Sequence, residues 1–66
     1  MLLLKMKSSE LLRMVERAGW TVVRQEGSHR ILRHPERRET LVIPFHASKE
    51  VGKGLANKIL KQAGLK

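Results

Sequence analysis

The sequence predicts an α+β domain of order α-β-β-β-α, a three-stranded antiparallel sheet with two helices on one face. Three observations carry this. Apolar residues recur at helical spacing near both ends of the chain, three short strand-like runs lie between them, the first rich in β-branched and aromatic residues, and glycine or proline marks most of the junctions.

Leu11, Leu12, Val15 and Ala18 fall at i, i+1, i+4 and i+7, one face of a helix running from Ser8 to Ala18. Ser8 or Ser9 is expected as its N-cap, with Glu10 in the first turn, where the helix dipole favours an anion. Gly19 then supplies the left-handed residue after the C-cap, and Trp20 is expected to fold back on Val15. Residues 20 to 26 read as a strand that Gly27-Ser28 turns into a return strand, residues 29 to 34, which Pro35 stops. A charged connection, Glu36-Arg37-Arg38-Glu39, leads to a third strand over residues 40 to 43. Residues 44 to 50 show no clear period and read as an ordered loop. Leu55, Ala56, Ile59, Leu60 and Ala63 form the second helical stripe, and Gly64-Leu65 repeats the first helix's ending, with Leu65 set against Leu60. This order is the topology of double-stranded RNA-binding domains. It leaves one face of the sheet to solvent or a ligand.

At 66 residues the chain makes one small domain, and such a chain buries only about 60% of the surface its unfolded form exposes. It has no cysteine, hence no disulfide framework and no thiolate zinc site, and a reducing compartment is expected. Fourteen Lys and Arg against six acidic residues give a net charge of +8, which selects polyanions as partners. With one Trp, one Phe and no Tyr, nucleic-acid contact should rest on phosphates more than on base stacking. The apolar opening, residues 1 to 5, is too short for a signal core or a membrane span, and no later run approaches the roughly 20 apolar residues a span needs. A cytoplasmic protein without membrane contact is the expectation.

No Asp is present, so a Ser-His-Asp triad is excluded in its usual form. Glu36, Glu39 and Glu50 lie among Lys and Arg as solvated ion pairs would. His29 and His34 differ by an odd number along one strand and point to opposite faces, which argues against a shared metal ion. No cofactor is expected. Gly27-Ser28-His29 is the remaining constellation: a turn launching a histidine at the start of a strand. Glycine lets the backbone approach a large ligand, and imidazole, with an unperturbed pKa of about 6.5, both takes and gives a proton near neutral pH. Arg24, Arg30 and Arg33 lie on the same hairpin. In RNA cleavage the 2′-hydroxyl attacks the adjacent phosphate, so one base or acid plus cations on the phosphate suffices without a metal. Spacing alone also fits an ordinary surface histidine beside a turn glycine. His34, before Pro35, reads as a hairpin-end residue, and His46 as a second acid-base group if the strands pair in register. Lys53, Lys58 and Lys61 read either as a solvated helix face or as contacts to an RNA backbone at a helix opened by Gly52-Lys53-Gly54.

Several segments together resemble the HicA family of toxins: Met6-Lys7-Ser8-Ser9-Glu10-Leu11-Leu12, Ala18-Gly19-Trp20, Arg24-Gln25-Glu26-Gly27-Ser28-His29-Arg30, His34-Pro35, Val42-Ile43-Pro44-Phe45-His46 and Ile59-Leu60-Lys61-Gln62-Ala63-Gly64-Leu65. The resemblance implies a metal-independent ribonuclease, an mRNA interferase of a type II toxin-antitoxin pair, that cleaves messenger RNA and is held by a HicB-type antitoxin. It also implies that His29, the histidine of the Gly-Ser-His turn, is catalytic. Family members commonly begin Met-Lys-Ser, here Met6-Lys7-Ser8, so residues 1–5 of the single domain 1–66 read as an N-terminal extension. To the RNA itself the sequence offers Arg24, Ser28 and Arg30 for the phosphate and Lys53 for the backbone. The alternatives are a non-catalytic RNA-binding module of double-stranded RNA-binding type and a small DNA-binding or assembly protein held by charge.

Overall fold

The structure, a computed structural model, describes residues 5–45 and 50–65. Of the expected extension over residues 1–5, residues 1–4 lie outside the described residues, as do residues 46–49 of the expected loop, with His46, whereas Lys5 opens a strand. The elements run β1 (Lys5–Lys7), α1 (Ser8–Arg17), β2 (Thr21–Glu26), β3 (His29–Arg33), β4 (Leu41–Pro44), β5 (Glu50–Gly52) and α2 (Lys53–Gln62). The expected α-β-β-β-α series is present, with β2, β3 and β4 forming a three-stranded antiparallel sheet in that order. Two short strands add to it. β1 and β5 pair antiparallel as a separate ribbon, Met6 opposite Val51, so the segment expected to be loop up to Glu50 ends as a strand.

Directly paired residues of an antiparallel sheet share a face, and successive residues alternate. Leu32 opposite Leu41 and Ile43 on the same face are fully buried. They meet Leu11 and Val15 of α1 and Ala56, Ile59 and Leu60 of α2 in one core. Both helices therefore cover this face, and Val42, on the opposite one, stays exposed. Met6 and Val51 of the ribbon close the same core. No described helix is long and apolar enough to cross a membrane.

The N-cap of α1 lies one residue before the first of its two expected positions. Lys7 is the N-cap and Ser8 is already helical and buried, so neither Ser8 nor Ser9 caps the helix. The Glu10 carboxylate does the capping instead, accepting the Lys7 backbone N–H at 3.0 Å. The C-terminus ends as expected: Trp20 N–H donates to Val15 O at 3.1 Å and Gly19 N–H to Glu16 O at 3.0 Å. α2 repeats the pair, with Leu65 N–H to Leu60 O at 2.8 Å and Gly64 N–H to Lys61 O at 3.1 Å.

Side chains tie the two helix ends together. Trp20, 2% exposed, donates its indole N–H to Ala63 O of the α2 cap at 3.2 Å. His34 packs edge-on against that indole with ring centroids 5.3 Å apart. Its Nδ1 accepts the Glu36 N–H at 3.0 Å, which leaves Nε2–H to donate to Ala18 O at 2.9 Å. Arg37 donates to Gln62 O at 3.3 Å. Carbonyls that the helices leave without intrahelical partners thus receive an indole, an imidazole and a guanidinium. His34 is a structural residue, as its place at the hairpin end suggests.

Gly19 is the narrowest point of this arrangement. Its φ is +104°, and a Cβ there would stand 2.7 Å from His34 Nε2, on a ring held at both nitrogens. Gly27 has a φ of +57° with nothing within 4 Å of the same position. Gly27→Ala should therefore cost backbone strain alone, about 1–2 kcal/mol, or about 4–8 °C of melting midpoint per kcal/mol. Gly19→Ala should melt lower than Gly27→Ala because the clash adds to the same strain; paired thermal denaturation curves followed by circular dichroism check the order.

Candidate active site

Gly27 and Ser28 are the two central residues of the β2–β3 hairpin, with a positive φ at Gly27 only. That pattern belongs to a type II′ turn, whose twist matches the flanking strands. Glu26 and His29 form the rung next to the turn. Ser28, half-buried, fixes the turn to the end of β4 by accepting the Phe45 N–H at its carbonyl. His29 is exposed, opposite Pro44 on its other side. It lies on the face the helices leave open, with Ile31, Arg33 and Val42 further along.

A β-bulge decides what accompanies it. Val22 pairs with Leu32 on the core face, and the next pair is Arg24 with Ile31, so Val23 is the extra residue. Without it, strict alternation would turn Arg24 and Glu26 toward the helices. With it, both share the open face with His29, and Gln25 turns to the core side. Arg24 Nε meets Glu26 Oε2 at 2.7 Å, with both side chains more than half exposed. Bulges that re-aim a side chain recur beside active sites.

The sequence-predicted residues separate into two groups. The structure brings Arg24 and His29 together on one face and sets Ser28 in the turn beside them. Arg30 does not join them. It pairs with Ile43 and Gln25 on the opposite face, where its guanidinium lies 4.3 Å from the Phe45 ring centroid. The parity that separates His29 from His34 also separates His29 from Arg30, so this signal was present in the sequence. Lys53 is exposed at the first residue of α2, in the helix layer behind the sheet. Lys58 and Lys61 line a shallow groove with Gly54 and Asn57 on the same helix. Glu26, which no motif singled out, is the cross-strand partner of His29. Its position follows once Gly27-Ser28 is recognised as a two-residue turn.

The fold and face define a small basic domain of double-stranded RNA-binding topology that presents a histidine and an arginine on the sheet face opposite the helices. A family model described as HicA toxin of bacterial toxin-antitoxin matches residues 8–65. The chain belongs to this family of toxins, and an antitoxin partner comes with that membership. No match was found among curated proteins.

Proposed function

We propose that the chain is a metal-independent endoribonuclease, an mRNA interferase, with His29 as general acid or base. The observation that carries this reading is the bulge at Val23, which sets Arg24 on the face of His29. A phosphate diester held by the Arg24 guanidinium stands beside an exposed imidazole that no described side chain covers. In the reaction the 2′-oxygen bonds to phosphorus and the bond to the 5′-oxygen breaks. The 2′-hydroxyl gives up its proton to a base, and the departing 5′-oxygen takes one from an acid. His29 serves in either role, and Arg24 neutralises the charge that builds on the phosphate. The products are a 2′,3′-cyclic phosphate and a 5′-hydroxyl end. Messenger RNA as substrate places the action in the cytoplasm. The partner that holds the toxin is a HicB-type antitoxin, and an acidic surface on it complements a chain of net charge +8.

The test is incubation of the purified chain with end-labelled messenger RNA in chelator. Cleavage to 5′-hydroxyl ends is the expected result. RNA that binds but stays intact over hours returns the reading to a non-catalytic RNA-binding module. Electrostatic contact also predicts that affinity falls steeply with salt, and Arg24→Ala should flatten the log–log slope by about 0.7, the contribution of one phosphate contact on a single strand. Titrations at several salt concentrations measure it.

A further inference from the structure

The same bulge that turns Arg24 to the open face brings a carboxylate with it. Glu26 stands beside Arg24 and opposite His29, on a face that carries Arg33 at its far end and otherwise suits a polyanion. Its Oε2 lies 2.7 Å from Arg24 Nε, with the two side chains 58% and 64% exposed. A guanidinium offers its fork of N–H donors to a carboxylate and to a phosphate in the same geometry. The two anions therefore compete for one cation. An ion pair this exposed is weak, so a phosphate can displace the carboxylate.

We propose that Glu26 is an internal competitor for the substrate phosphate: in the free protein it occupies the Arg24 guanidinium, and RNA binds by exchanging its phosphate for that carboxylate. Glu26 thereby sets the affinity of the site for RNA without taking part in the bond-breaking step. The proposal rests on the ribonuclease reading and concerns only how the site admits its substrate.

The experiment uses the full chain carrying His29→Ala, so that RNA stays intact, and a fluorescently labelled single-stranded RNA oligonucleotide titrated at several KCl concentrations. Glu26→Gln, which keeps the shape of the side chain, is added with and without Arg24→Ala. Glu26→Gln should tighten binding by about 2- to 5-fold, the range an exposed ion pair is worth. The salt slope should steepen as the freed arginine takes its phosphate directly. In the Arg24→Ala background the gain should vanish. In the otherwise unaltered chain, Glu26→Gln should lower KM and leave kcat within about two-fold, as removal of a binding competitor requires. An equal gain in both backgrounds overturns the proposal, because Glu26 would then act through net charge alone. No gain with RNA still bound overturns the exchange and leaves the ribonuclease reading standing. Failure of the His29→Ala chain to bind RNA at all removes both.

Discussion

Replacing His29 with alanine is expected to lower the rate of RNA cleavage by about 10²–10⁴-fold, the usual contribution of a general acid or base. RNA affinity should stay within a few fold. The two expectations separate because the residue sits at the end of the hairpin with its side chain exposed and outside the core. Its removal opens no cavity and leaves the II′ turn intact, since the turn depends on Gly27 and on the Phe45 N–H bond to Ser28 O. The phosphate-binding charge of Arg24 is untouched. Parallel cleavage assays and binding titrations of the two proteins give the comparison. Cleavage at the parental rate by the folded variant would show that the imidazole is a bystander and that the chemistry lies elsewhere on the chain.

Much of the fold was readable because local chemistry and tertiary packing agree. The stripe of Leu11, Val15 and Ala18 ends at a glycine that does adopt a positive φ, and the same device recurs at Gly64. The hairpin was readable because Gly27 satisfies the one position of its turn that disfavours a side chain. The β1–β5 ribbon was not readable. Its strands are Lys-Met-Lys and Glu-Val-Gly, three residues each with a single core side chain, and they meet across more than forty residues of chain. No local period marks so short a strand. The N-cap was misplaced for a related reason: Ser8 has the right chemistry, but the core takes it into the helix, and Glu10 caps from inside the first turn. The site was half legible. His29 stands out by its turn, but which arginine accompanies it depends on Val23, a bulge residue with nothing in its type to distinguish it from Val22.

Trp20→Ala is expected to abolish cooperative folding of the isolated chain. The indole is 2% exposed and its removal strips three connections at once: core packing, the N–H bond to Ala63 O, and the edge contact that seats His34 under Ala18 O. Truncating a buried Trp to Ala costs about 3–5 kcal/mol. At about 0.05–0.15 kcal/mol per residue, a chain of this length has roughly 3–10 kcal/mol of stability in total. The loss thus consumes much or all of it, and circular dichroism of the variant should show a broad transition where the parent melts sharply. Trp20→Phe separates the parts: it keeps a ring in the core and forfeits the N–H bond, worth about 1 kcal/mol, together with some packing volume. It should still melt cooperatively, at a midpoint below the parent's. A partner that binds only the folded form would offset part of the deficit, by about 2.7 kcal/mol at a hundredfold excess over Kd. Trp20→Ala should consequently be recovered in soluble, folded form with its antitoxin and not alone. A variant that melts sharply alone near the parental midpoint would show that the helix ends are held by the remaining contacts and that the tryptophan is not their tie.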